Sequence, residues 1–175
     1  MHKHSSHLTK PRPLTGCDAL SMADIHGLCF PDAWTEELFF DCFAKPEWDG
    51  VFGFGIEQSP ELIKPPHPVS TQSTSSLLAG FILGRTTYET NDILTFAVNP
   101  AYQGIGIGRT LLTTYLNAVS CACLLEVATS NTAAIHLYNA FGFEIIASRR
   151  DYYDNPDPAM RDAYVMGRRG MLSKS

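Results

Sequence analysis

The sequence lacks any run of about 18 consecutive apolar residues, so a membrane-spanning helix is not expected. It also lacks a basic excess. Lys and Arg number 13 against 18 Asp and Glu, for a formal net charge of -5. Such a balance disfavours direct binding to a nucleic-acid phosphate backbone and suits a cationic partner. A disulfide rhythm is missing too. The five cysteines, Cys17, Cys29, Cys42, Cys121 and Cys123, are odd in number and irregularly spaced. Cys121 and Cys123 have no second Cys or His pair at zinc spacing. They read as reduced thiols packed like small apolar residues, which points to a reducing compartment, the cytoplasm. The opening MHKHSSHLTKPRP has no apolar core of a secretory signal. Its His2, His4 and His7 read as part of a solvated tail, and no metal site is expected.

What remains is an ordinary globular composition, 45% apolar in 175 residues, enough for one domain with a core. The expected organisation is a tail over 1–14, one domain over 15–170 with a surface loop at 58–76, and a second tail over 171–175. The loop QSPELIKPPHPVSTQSTSS is too rich in Pro, Ser and Thr to bury itself. Asp18 is placed to cap a helix running to Phe30, with Leu20, Met22, Ile25, Leu28 and Cys29 as its apolar residues. Thr35 is placed to cap a second helix. Strands are expected at Val51–Glu57, Leu77–Thr87 and Asp92–Val98. A helix from about Gly108 to Ser120 follows, then a strand at Leu124–Ala128, a helix at Asn131–Ala140, and strands at Phe143–Ser148 and Ala163–Arg168. This order suggests an α/β fold with a mixed sheet.

The most informative stretch joins the third strand to the third helix: Gln103-Gly104-Ile105-Gly106-Ile107-Gly108-Arg109. Alternate glycines let the backbone turn with positive φ and let a ligand approach. Successive N–H groups and a helix N-terminus then favour an anion such as a pyrophosphate. A P-loop would need Gly-Lys-Ser/Thr, and Arg109-Thr110 follows Gly108 instead. A dinucleotide fingerprint from Gly104 would place its third glycine at Arg109. Glu126, 20 residues after Gly106, keeps that alternative open, as does a turn that binds nothing.

Gln103, Gly106 and Gly108 match the Q/R-x-x-G-x-G/A signature, and here the chain resembles the GCN5-related N-acetyltransferase (GNAT) superfamily. The likeness continues through Leu125-Glu126-Val127-Ala128-Thr129-Ser130-Asn131, Ala134 to Tyr138, Phe141-Gly142-Phe143, Arg149-Arg150-Asp151-Tyr152-Tyr153 and Asp162 to Met166. It is most similar to the ribosomal-protein-alanine N-acetyltransferase group, over roughly residues 18–168. The resemblance implies a mixed central sheet with splayed middle strands and helices on both faces. It implies acetyl-coenzyme A as cosubstrate, with no metal. Backbone groups of Phe96, Ala97 and Val98 would pair with the pantetheine arm. The amides from Gln103 to Arg109 would hold the pyrophosphate, and Asn131 would bond the coenzyme arm. The acceptor would be a protein N-terminus with a small first residue and basic character, above all the N-terminal alanine of a small-subunit ribosomal protein. Arg161 and Ala128 depart from the group's pattern and leave the peptide preference open. A small-molecule amine acetyltransferase and a coenzyme-binding module without turnover are the alternatives.

Acetyl transfer needs a neutral amine, hence a base, and an acid for the departing thiolate. Glu126 lies in the apolar run Leu124-Leu125-Glu126-Val127-Ala128, where a carboxylate is at a strand end, paired or working. The motif favours the base role. A glutamate of ordinary acidity is a weak base at neutral pH, so the role calls for a relay through water or a shifted proton affinity. Tyr138 follows Asn131 by seven residues, two helical turns along one face, and is the candidate acid. His136 reads as a surface neighbour. Nothing beside Cys121 or Cys123 would activate an acetyl-cysteine route.

Overall fold

A computed structural model describes residues 9–58, 78–154, 157 and 161–170. Most of the expected 58–76 loop, the three N-terminal histidines and the tail over 171–175 lie outside the described residues.

Among the described residues, four α-helices and seven strands form one mixed sheet with its covering helices. In chain order they are β1 (Arg12–Pro13), α1 (Ala19–Cys29), α2 (Glu36–Ala44), β2 (Val51–Glu57), β3 (Leu78–Thr86), β4 (Thr90–Val98), α3 (Ile107–Asn117), β5 (Ala122–Ala128), α4 (Thr132–Ala140), β6 (Glu144–Arg149) and β7 (Ala163–Arg168). The spatial order is β1-β2-β3-β4-β5-β7-β6. β4 and β5 run parallel, joined by α3, and the other neighbours are antiparallel.

β3 lies inside the sheet, between β2 and the central β4, and its residues Leu78 to Gly84 are all buried. Met22, Ile25, Phe39, Phe81 and Leu83 form a core on one face, under α1 and α2. Ile82, Leu111, Leu112, Tyr115, Leu125 and Tyr138 form the core on the other, under α3 and α4. The expected face of α3 is the observed one. Its leucines contribute roughly 2 kcal/mol each by leaving water, and all of them, with Tyr115, are at most 5% exposed.

Three expectations change. In α1 the buried face is Ala19, Met22, Ile25 and His26, whereas Leu20 and Leu28 point outwards. Asp18 makes no side-chain cap on α1. Its carboxylate accepts from the Thr15 N–H at 2.9 Å and from both terminal nitrogens of Arg12, at 2.7 and 3.0 Å. Arg12 also holds Glu57 at 2.6 Å. Residues 9–14, expected in a tail, are therefore part of the fold. Arg12 and Pro13 pair with β2, and Leu14 is buried. Thr35 caps α2 as expected, its hydroxyl accepting from Leu38 N at 3.2 Å.

Candidate active site

The β4–β5 pairing begins at Thr90–Ala122 and ends at Ile93–Leu125. Beyond it, β4 continues to Val98 and β5 to Ala128 without pairing to each other. The cause is visible in β4. Its register on β3 slips between Leu83 and Gly84, so that Leu94 is an extra residue, a bulge that bends the strand away. The outcome is a wedge-shaped opening between two parallel strands, the splay that the resemblance implied.

The Asn99 N–H donates to the Ala79 carbonyl at 3.0 Å. Antiparallel alternation then turns the polar groups of Ala97 towards β3, where it pairs with Phe81, and those of Phe96 and Val98 towards the opening. Of the three residues expected to offer backbone to a pantetheine arm, two face the wedge and Ala97 does not. The Val98 carbonyl also accepts from the Gln103 side-chain amide at 3.0 Å and from the Cys29 thiol at 3.4 Å. The end of α1 is thus tied to the mouth of the wedge.

The glycine turn follows directly. Asn99 Oδ1 accepts from Ala101 N, closing a single 3-10 turn over Pro100–Tyr102. Gly104 and Gly106 then adopt φ of +78° and +96°, and Gly106 is the N-cap of α3. An added Cβ at either would meet no atom within 4 Å. Both turn outward onto open space, as a cradle for a bulky anion requires. Gly108 serves packing instead, since a Cβ there would touch Leu137 and Phe96 at 3.5 Å. Ile107 is buried in the core and Ile105 is half exposed. Arg109 lies 5.3 Å from the centre of the Phe141 ring, which keeps its cation beside the turn. Asn131 caps α4 with its side-chain oxygen, accepting from Ala134 N at 3.1 Å. That leaves the exposed side chain's NH2 group as the one turned to other work.

Glu126 is the first residue of β5 past the last β4 pair. Its neighbours Leu125 and Val127 are buried under α3 and α4, so period-two alternation sends its side chain to the opposite face. One carboxylate oxygen meets Arg149 Nη2 at 3.2 Å. Tyr138 is buried between Phe96 and Phe143, and its hydroxyl has no hydrogen-bond partner among the described residues. Burial raises its pKa well above the ordinary tyrosine value, and the nearby Tyr153 adds to this. Tyr153 is pushed up to about 12 by burial, then by Tyr152 and Glu126. Glu126, Tyr153 and Tyr138 therefore lie within electrostatic reach in sequence, one to the next. His136 is exposed, as expected of a surface neighbour.

Two contributors were not anticipated in these roles: Arg149 as the ion partner of Glu126, and Cys29 as a donor to Val98. Both depend on a tertiary approach that residue spacing does not reveal. Among the described residues, no group of three or more His, Cys, Asp or Glu side chains gathers as a metal site, and no helix is long and apolar enough to cross a membrane.

Residues 19–143 match the profile of the Acetyltransferase (GNAT) family. The chain is 42% identical over 106 residues to the N-alpha-acetyltransferase RimI of Mycobacterium tuberculosis, covering 58% of this chain and 65% of that one. It is 33% identical over 93 residues to the [ribosomal protein bS18]-alanine N-acetyltransferase of Haemophilus ducreyi, covering 51% and 64%. These matches span less than two thirds of the relatives' own lengths. The crystal structure of the ribosomal-protein-S18-alanine N-acetyltransferase from Escherichia coli superposes with a TM-score of 0.74 at 25% identity, over 96% of this chain and 97% of that one.

Proposed function

This chain belongs to the acetyltransferase (GNAT) family, and on that premise we propose that it transfers the acetyl group of acetyl-coenzyme A to the N-terminal α-amine of a protein. The acceptor is a chain with a small, alanine-like first residue and a basic start, a ribosomal protein by likeness to the named relatives. One observation carries the reading: a wedge between parallel strands opens onto the glycine turn at one end and has Glu126 at its apex.

The amides of the 103–109 turn hold the pyrophosphate at the start of α3, where the helix dipole favours negative charge. The Gln103 N–H is the exception, since it already donates to the Pro100 carbonyl at 3.4 Å. The gap-facing backbone of Phe96 and Val98 receives the pantetheine arm, with the Asn131 amide beside it. The bound coenzyme supplies an activated acetyl thioester. Glu126 takes the proton that the acceptor ammonium must lose before its nitrogen can attack. Tyr138, held protonated by burial, donates to the sulfur as it leaves. Tyr152 and Tyr153 wall the acceptor slot. They are fixed because both of their N–H groups donate to the Arg161 carbonyl at 2.9 Å.

The test is mass spectrometry of an alanine-starting basic peptide incubated with the protein and acetyl-coenzyme A. One added acetyl on the α-amine is expected. Absence of product on several such peptides, with turnover of a polyamine instead, would move the protein to small-molecule acetylation.

A further inference from the structure

We infer that Arg149 is a placeholder for the acceptor's ammonium: in the free protein its guanidinium occupies the cation position on Glu126, and a free N-terminus takes that position by displacing it. The inference rests on the reading of Glu126 as the base that receives the acceptor.

Three features carry it. The contact is loose: Arg149 Nη2 comes to 3.2 Å from Glu126 Oε1 without a hydrogen bond between the two side chains, unlike the two-pronged hydrogen-bonded pair that Arg12 makes with Asp18. The two side chains are 52% and 31% exposed, and an ion pair this open to water is weak enough for another cation to exchange with it. Finally, the guanidinium has a second seat. Its carbon already lies 5.3 Å from the centre of the Tyr152 ring, a face that stabilises a cation without needing a carboxylate. The backbone bonds of Tyr152 and Tyr153 to Arg161 hold that seat still while the arginine moves. Asp151, between arginine and tyrosine, sits at φ +50° with its N–H donating to Asp162 Oδ1 at 3.1 Å, so the short segment carrying both groups is fixed in a turn.

The consequence is selection at the moment of binding. A free amine carries the charge needed to replace Arg149, and a blocked N-terminus does not. As the ammonium arrives, the resident cation leaves Glu126, and the carboxylate becomes available to the proton it is to accept.

Calorimetric titration in the presence of coenzyme A tests this. The probe is a synthetic alanine-starting basic peptide, used with a free and with an acetylated N-terminus, on the wild type and on Arg149→Gln. The free peptide should bind the variant about two- to five-fold more tightly than the wild type, the range expected on removing a part-exposed competing ion pair. The acetylated peptide should bind both proteins equally. In Glu126→Gln, the further change Arg149→Gln should bring no gain. An unchanged or weaker affinity for the free peptide overturns the inference. So does an equal gain for both peptides, which would mean general relief of repulsion. Failure of acetyl transfer itself would show separately, as absence of product from the wild type whatever the arginine does.

Discussion

At its paired end, the β4–β5 seam is closed by buried polar groups that satisfy one another. Asn91 and Tyr115 are both fully buried; the tyrosine hydroxyl donates to Asn91 Oδ1 at 2.8 Å, and the asparagine amide donates to Thr86 at 3.0 Å. Phe52 stacks on the same ring with centroids 4.9 Å apart. Gly84 leaves the space, since a Cβ there would collide with the Tyr115 hydroxyl at 1.8 Å. A few residues further on, the same two strands part, and at the fork β5 carries a half-buried carboxylate, Glu126, paired with the guanidinium of Arg149. The contrast shows how one pair of strands can be closed at one end and open at the other. The closed end fixes α3, and with it the glycine turn, while the open end leaves the facing edges of both strands outside the sheet's ladder.

Changes at the open end should therefore cost rate, and changes at the closed end should cost stability. The largest effect is expected from Glu126→Gln, an isosteric loss of the base. Steady-state kinetics should show kcat lowered by about 10²–10⁴-fold with the melting temperature unchanged, and a rate near the wild type would remove Glu126 from the chemistry. Next is Tyr115→Phe at the closed end. It leaves the buried Asn91 oxygen with only the weak Cys123 thiol donor, 3.9 Å away, and should cost about 1–3 kcal/mol in denaturant unfolding.

A pH effect sharpens the comparison at the support of the wedge. The α1–α2 turn hangs on His26, whose Nδ1 accepts the Trp34 N–H at 3.1 Å. Burial lowers its pKa from 6.5 to about 4. The folded chain thus holds the neutral ring while the unfolded chain binds a proton first. This contribution is fully present above pH 6.5 and is lost as pH falls towards 4. Melting temperature should decline across that window, and less steeply in His26→Gln, which keeps an acceptor but does not titrate. Equal slopes would discard the pin. The smallest effect belongs to Thr95, whose buried hydroxyl has no hydrogen-bond partner among the described residues. Thr95→Val should stabilise the protein by about 1 kcal/mol or less, seen as a raised denaturation midpoint.

Much of this was legible in the chain. The glycine turn, the helix face of Leu111, Leu112, Tyr115 and Leu116, the Thr35 cap and the carboxylate alone in an apolar strand all depend on neighbours within a few residues. What was hidden depends on distant ones. β1 spans two residues, too short for alternation to mark it, and it is held by Arg12 reaching Glu57 across 45 positions. Asp18 has the residue type of a cap, but Arg12 and Thr15 claim its carboxylate first. Leu20 and Leu28 fit a helical pattern but lie on the side that the sheet does not cover. The orientation of Ala97 could not be read without the bulge before it.

That bulge has one more effect, on counting. In an unbroken strand, residues 93 and 96 would point to opposite sides. Here Ile93 and Phe96 belong to the same core, and Ala97 lies in the other. Leu94 acts as a parity shift: odd positions before it and even positions after it share a destination. Removing one residue from this stretch would exchange the large Phe96 and Val98 with the small Ala97 between the two layers. The segment can therefore tolerate changes of side chain far better than a change of length.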